Sequence, residues 1–178
     1  MHVSRRQGVL CGLAIVTLFA IGATAHEHPP APPASTEFDR VKGLVGQWRG
    51  TATMHGETNQ PVAVNYELTS GGTAVVETLF PGTPHEMVSM YYDDHGRLTM
   101  THYCALGNRP LLGLTKTASD RLDLSLADGS SIDAAHETHM HDVSLAWTDP
   151  DHLTQTWTLF EQGQPTESTV LSVSRVKE

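Results

Sequence analysis

The sequence predicts an all-β protein, an antiparallel up-and-down barrel of about ten strands with one short N-terminal helix. Two observations carry this prediction. From Gln47 onward, short runs alternate apolar and polar residues, which is the two-residue period of a half-buried strand. The breaks between the runs, such as "DDHG" and "QGQP", are turn sequences too short to hold crossover helices. Neighbouring strands should therefore pair antiparallel, and closure into a barrel removes the open edges of the sheet.

The elements follow in order along the chain. A helix is predicted in "STEFDRVKGLVG", where Thr36 can act as N-cap and Phe38, Val41 and Leu44 share one face. The predicted strands are Gln47–Met54, Val62–Ser70, Thr73–Phe80, Met87–Asp93, Arg97–Ala105, Leu111–Ala118, Arg121–Ala127, His139–Asp149, His152–Glu161 and Thr166–Arg175. The predicted barrel domain thus covers residues 36–178.

The segment before the barrel is expected to direct export. Residues 1–25 combine Arg5 and Arg6, an apolar run and the small-x-small sequence Ala23-Thr24-Ala25, as in a secretory signal peptide. Residues 26–35, "HEHPPAPPAS", are predicted to form a Pro-rich extended tether. We therefore expect a periplasmic or secreted protein, and the twin arginine leaves the choice between the general and the twin-arginine export route open. The oligomeric state is also left open.

Charge and cysteine content exclude several classes of partner and bond. The chain has 11 basic and 20 acidic residues and a formal net charge of −9, and removal of Arg5 and Arg6 would make it more acidic. Nucleic acid and anionic membranes would be repelled, so neither is expected as a partner. The apolar run is too short for a membrane span, so no insertion is expected after cleavage. Once Cys11 is removed, Cys104 has no partner for an intrachain disulfide.

A resemblance to a known group of barrels rests on few residues. A short helix, then "GQW" at 46–48 opening the first strand, and Arg175 on the last strand resemble the calycin group of lipocalins, fatty-acid-binding proteins and nitrobindin-like barrels. The resemblance implies that Trp48 plugs the closed end and that Arg175 lies over its indole. "TSGGTAVVETLFPGTPHEMVSMYY" and "THYCALGN" are also similar to an uncharacterised secreted bacterial family of this type. The haem signature of nitrobindins is not evident.

Strand alternation predicts an internal pocket containing histidines. His102 and Cys104 share the face of Leu98 and Met100, while His139 and His141 are an even number of positions from Val143 and Trp147. Both pairs are therefore predicted to face inward. The predicted ligand-pocket residues are His102, Cys104, Met100, His139, His141 and Trp157. A buried imidazole must be hydrogen-bonded or coordinated, so His102, His139 and His141 are either satisfied pocket histidines or ligands to a transition metal or haem.

A separate metal hypothesis concerns the terminus that cleavage after Ala25 would create. His26-Glu27-His28 would place a histidine third, and the amine, two amides and the imidazole could surround copper(II) or nickel(II). His26 and His28 are therefore candidate metal-binding residues, provided that cleavage occurs there.

Three functions are compatible with this sequence, and they are ranked by what the residues favour. The first is a barrel that binds a small, largely apolar molecule in its interior. The second is a metal or haem protein that uses His102, His139 and His141. An enzyme is the least favoured, because no G-x-S-x-G, phosphate loop, H-E-x-x-H or cysteine pair occurs.

Overall fold

A computed structural model of the protein describes residues 34–177. Within that range the chain forms one α-helix and ten strands. They are α1 (Thr36–Lys42), β1 (Gly46–Met54), β2 (Glu57–Thr69), β3 (Ala74–Leu79), β4 (Met87–Asp94), β5 (Arg97–Tyr103), β6 (Leu111–Ala118), β7 (Arg121–Leu126), β8 (His139–Asp149), β9 (His152–Glu161) and β10 (Gln164–Arg175). The predicted signal peptide, most of the predicted tether, and His26 and His28 lie outside the described residues.

The ten strands close into one antiparallel barrel. Each strand pairs with its neighbours in sequence, and β1 closes the ring by pairing with β10. The predicted all-β up-and-down barrel with a short N-terminal helix is confirmed. No helix among residues 34–177 combines the length and the apolar character that a membrane crossing would need.

Strand β2 is longer than the sequence predicted. The turn before it needs only His55 and Gly56, which have φ values of 52° and 75°, so pairing with β1 begins at Glu57. The predicted strand begins at Val62, because the preceding sequence "HGETNQP", which ends at Pro61, has the composition of a turn. Proline cannot donate to a strand ladder. It is tolerated because β3 pairs only with the stretch Val64–Thr69, which leaves Pro61 with a strand neighbour on one side.

Helix α1 covers one end of the barrel. Its N-cap is Ser35 rather than Thr36: the Ser35 hydroxyl accepts a hydrogen bond from the Phe38 N–H at 3.2 Å, and the Ser35 N–H donates to Asp93 at 2.8 Å. Phe38 and Val41 are buried beneath the helix, as the 3.6-residue period requires. This end of the barrel is therefore filled by apolar side chains.

Trp48 and Arg175 lie together at this closed end. Trp48 is fully buried and donates its indole N–H to the Leu44 carbonyl at 2.8 Å, while the Arg175 guanidinium lies 4.4 Å from the indole centroid. Arg175 also donates to the carbonyls of Gly43 and Val45, both at 2.7 Å. Gly46 has φ of +133°, and a Cβ there would lie 3.1 Å from the guanidinium. The glycine two residues before Trp48 therefore gives Arg175 the space it occupies.

Candidate ligand cavity

A cavity of about 240 Å³ lies at the barrel end away from Trp48. Its walls are mostly apolar and come from strands β3, β4, β8, β9 and β10: Leu79, Met87, Met140, Trp157, Leu159 and Leu171. Its remaining lining includes the exposed residues His55, His85 and Leu106 and the half-buried Glu167. The cavity thus combines an apolar interior with polar groups, the usual composition of a small-molecule site.

His102 is a buried polar side chain in the cavity wall. Only 1% of its surface is exposed, and its ring centroid lies 4.6 Å from that of Trp157. Nδ1 is 3.0 Å from the Ser89 hydroxyl, whereas Nε2 has no hydrogen-bond partner among residues 34–177. Burial lowers the pKa of His102 from 6.5 to about 4, so the imidazole is neutral at physiological pH. Nε2 is the atom of this cavity that most needs a polar partner.

Next to His102 in the barrel lies a buried polar cluster that the sequence analysis did not identify. Its centre is Glu77, which is fully buried. Tyr66 donates to Glu77 Oε1 at 2.7 Å and Tyr91 donates to Oε2 at 3.1 Å. Gln155 donates to Tyr66 and to Glu77 Oε1, both at 2.6 Å, and accepts from the Trp157 indole at 2.9 Å. We call Tyr66, Glu77, Tyr91 and Gln155 the Glu77 cluster.

The protonation of the Glu77 cluster follows from burial and from its donors. Burial raises the pKa of Glu77, while hydrogen bonds from Tyr66, Ser89, Gln155 and Tyr91 act in the opposite direction. Burial and the neighbouring Glu77 raise the pKa values of Tyr66 and Tyr91 far above 10, so both phenols keep their protons and can donate. The donors favour the ionised carboxylate and burial disfavours it, and the net effect is a raised pKa.

Ser89 connects the Glu77 cluster to His102. In the strand register it is the direct partner of Glu77 on β3 and of His102 on β5. All three side chains are buried and lie at one level of the barrel. Their order, with the serine between the carboxylate and the imidazole, differs from that of a catalytic triad, where the histidine lies between the other two.

Cys104 lines the same cavity, and Met100 does not. The Cys104 Sγ lies 4.0 Å from the Met87 Sδ, and burial raises the pKa of the thiol, so it stays protonated at neutral pH. Met100 is fully buried in the core, where it is the register partner of Tyr91 and Leu112. The structure therefore brings His102, Cys104 and Trp157 to the cavity and places Met100 in the packed core.

His139 and His141 lie on the other face of the wall, in contrast to the inward positions that alternation predicted. Their rings pack on Phe160, and His141 stacks on it at 3.9 Å between ring centroids. Phe160 follows the cavity-lining Leu159, so it belongs to the opposite face of β9. The reason is a β-bulge: Met140 pairs with Leu159 and Asp142 with Thr158, which leaves His141 as an extra residue. Because of the bulge, each residue of β8 before it points to the opposite face of the sheet from the face that uninterrupted alternation predicts.

The two outer histidines bond to each other and are separated from His102. His139 Nδ1 donates to the Glu137 carbonyl at 2.7 Å, and its Nε2 lies 2.9 Å from His141 Nδ1. His136 is in the loop before β8, 3.0 Å from an Asp133 oxygen. Across the described residues 34–177, no group of three or more His, Cys, Asp or Glu side chains is arranged to hold a metal ion.

For two residues of the Glu77 cluster, Glu77 and Gln155, strand alternation in the sequence already indicated an inward position. Glu77 falls on the same face as Val75 and Leu79 in "AVVETLF", and Gln155 falls between Leu153 and Trp157. A charged or amide side chain at an inward position of a strand must find a buried partner. The partner itself could be identified only once the strands were paired.

Comparisons with known proteins place this chain in no family. No protein-family model matches it, and no curated protein matches it. A solved structure that it resembles is a protein of unknown function from the DUF3598 family of Nostoc punctiforme, at 15% sequence identity and a TM-score of 0.41. The match covers 76% of this chain and 48% of that protein, so the chain spans about half of its length.

Proposed function

We propose that this protein is an exported, calycin-like barrel that binds one small, largely apolar molecule in its interior. The observation that carries the proposal is the cavity of about 240 Å³, which has apolar walls and, in its lining, a buried imidazole nitrogen that finds no hydrogen-bond partner among residues 34–177. The arrangement of Trp48, Arg175 and the preceding glycine at the closed end supports the calycin assignment. The signal-like residues 1–25 support export.

The cavity volume indicates the size of the molecule. A cavity of about 150 Å³ lined by apolar side chains holds one benzene, and drug-sized ligands occupy about 300–1,000 Å³. A volume of about 240 Å³ therefore fits a single substituted ring or a compact bicyclic molecule. A porphyrin is larger than this volume, and His139 and His141 are on the outer face of the wall. Both facts favour a small organic ligand over haem.

The experiment uses toluene as the apolar probe and an amide NMR titration as the measurement. We expect saturable shifts at residues that line the cavity, with the Trp157 indole N–H as the reporter. Leu171→Trp would place a large side chain in the cavity and should abolish the shifts. Leu68→Trp, at a leucine that is 49% exposed, is the matched control and should leave binding unchanged. The absence of saturable binding, or equal binding by the Leu171→Trp variant, would overturn the proposal.

A further inference from the structure

We propose that one wall of the cavity binds a single Cu(I) ion through Nε2 of His102, Sγ of Cys104 and Sδ of Met87. All three residues line the cavity. This metal site goes beyond the proposed function, because it does not require an organic ligand. It rests on a buried nitrogen without a partner, on two adjacent sulfur atoms, and on the charge that this wall can accept.

The first ligand is the imidazole of His102. His102 is buried, and its Nε2 has no hydrogen-bond partner among residues 34–177. The imidazole is neutral at physiological pH, as a metal ligand must be. The Ser89 hydroxyl, 3.0 Å from Nδ1, can either donate or accept. His102 can therefore carry its hydrogen on Nδ1 and offer the Nε2 lone pair to a metal without losing the bond to Ser89.

The other two ligands are sulfur atoms that lie next to each other. Sγ of Cys104 is 4.0 Å from Sδ of Met87. With metal–sulfur bonds of about 2.3 Å, as in zinc thiolate sites, tetrahedral or trigonal angles place two sulfur ligands about 3.8 to 4.0 Å apart. The observed separation therefore fits two ligands of one ion, and neither side chain has to change its backbone position.

The strand register brings the three residues to one level of the barrel. His102 lies on β5 and Cys104 follows it by two positions, so their Cα atoms are about 6.6 Å apart and both side chains reach the cavity. Val88 of β4 pairs with Tyr103, and continuing this antiparallel register by one residue sets Met87 opposite Cys104. One ion can therefore be reached from two neighbouring strands.

The donor set selects Cu(I) among the common metal ions. Thiolate and thioether sulfur are soft ligands, which Cu(I) prefers. Calcium, magnesium and manganese prefer oxygen, and the cavity lining offers one carboxylate, the half-buried Glu167. Zinc sites use at least three His, Cys, Asp or Glu ligands, and no such group occurs in the part of the chain that the structure describes.

Charge also favours a monovalent ion. Burial raises the pKa of the Cys104 thiol, so this wall disfavours an uncompensated thiolate. When Cu(I) binds, the S–H bond breaks, an S–Cu bond forms, the proton passes to the solvent, and no electron is transferred. The thiolate and Cu(I) together are neutral, which suits an apolar wall. Zn²⁺ with the same ligands would leave a net positive charge there.

Methionine is concentrated in this cavity, but this alone does not identify a metal site. Of the six methionines in the chain, Met54, Met87 and Met140 line the cavity. Methionine also fills irregular apolar space in protein interiors. The nitrogen of His102 separates the two explanations, because apolar filling leaves Nε2 without a partner, whereas a metal ion satisfies it.

The first experiment titrates the full chain with Cu(I) without oxygen, in competition with bicinchoninate, which forms a coloured Cu(I) complex. We expect the wild type to withdraw one Cu(I) per chain from the dye. Met87→Leu and Cys104→Ser nearly conserve side-chain volume. Each should weaken Cu(I) binding at least about 100-fold, because loss of even an outer partner of a metal ligand costs about 10–100-fold. Met90→Leu is the matched control, since Met90 is on the same strand β4 and outside the cavity lining.

Three outcomes of this titration would overturn the proposal. They are a wild type that leaves all Cu(I) with the dye, equal Cu(I) affinities of the wild type, Met87→Leu and Cys104→Ser, and Zn²⁺ binding by these residues that is at least as tight as that of Cu(I). The toluene titration is a separate measurement, so a failure here leaves the proposed function to be decided by its own test.

The second experiment identifies the ligands without any substitution. X-ray absorption at the copper edge, measured on the wild type loaded with one Cu(I), should show two sulfur neighbours at about 2.3 Å and one nitrogen at about 2.0 Å, the distances of comparable zinc bonds. A spectrum with nitrogen and oxygen neighbours alone, which copper at the candidate residues His26 and His28 would give, would overturn the assignment.

Discussion

Replacing His102 by glutamine should remove a loss of stability that the wild-type protein undergoes on acidification. The pKa of this imidazole is 6.5 in an unperturbed chain and about 4 in the fold, because burial disfavours its charged form. Between these two values, the unfolded chain binds a proton that the folded chain does not bind. The contribution of His102 to the free energy of unfolding is therefore fully present above pH 6.5 and is lost as the pH falls towards 4.

The size of this loss follows from the two pKa values. Each pH unit between them corresponds to 1.36 kcal/mol, so the whole interval amounts to about 3 kcal/mol. Because His102 is only 1% exposed, solvent screening reduces this free energy very little. Glu77 acts with the opposite sign, since its raised pKa lets the folded chain take up a proton more readily as the pH falls. Glu77 is present in every protein compared, so the difference between wild type and variant isolates His102.

Urea unfolding at several pH values from 7 to 4 measures the effect. The stability difference between wild type and His102→Gln should change by about 3 kcal/mol over this range, with the wild type losing more. His85→Gln, at an exposed histidine of the cavity lining, should follow the wild-type curve closely. An His102→Gln variant with the same pH dependence as the wild type would show that this imidazole does not stay neutral in the folded protein.

Two further substitutions test the closed end and the barrel wall. Arg175→Ala should lower the free energy of unfolding by about 2 kcal/mol, because it removes the cation–π contact with Trp48 and a charged hydrogen-bond donor. The affinity for toluene should stay unchanged. A parallel loss of toluene affinity would contradict the separation of the closed end from the cavity. Gly50→Ala should cost about 3 kcal/mol or prevent folding, because its Cβ would lie 2.0 Å from the Ser172 carbonyl oxygen. Gly129→Ala, whose Cβ would meet its nearest neighbour at 3.6 Å, serves as the control, and equal stabilities of the two glycine variants would refute the strand contact.

The fold could be predicted because its signals are local. Alternation of apolar residues and short turns such as "DDHG" each act within a few residues, and together they predicted antiparallel neighbours and a closed sheet. The start of β2 was predicted too late because "HGETNQP" has the composition of a turn, and only the pairing with β3 shows that one side of this stretch lacks a strand neighbour. Strand ends depend on partners, which a local pattern does not contain.

The candidate site was predictable only in part, because its chemistry depends on contacts between distant strands. Alternation placed His102 on an inward face, and the structure adds its partners. Tyr66, Glu77 and Gln155 lie on β2, β3 and β9, and only the closed barrel brings them together. The prediction for His139 and His141 differed from the structure because one bulge reverses the parity of all residues before it.

The bulge at His141 also bears on how relatives of this chain should be aligned. In a related barrel that lacked one residue between Met140 and Val143, there would be no bulge, and the inward and outward positions would alternate without interruption. Whether a histidine of this strand contacted the ligand would then depend on the number of residues between it and the next inward position. Two proteins could then carry the same histidine in the same alignment column and present it to opposite sides of the wall. Identity at this position is a poor guide to shared binding chemistry, and the length of the segment is a better one.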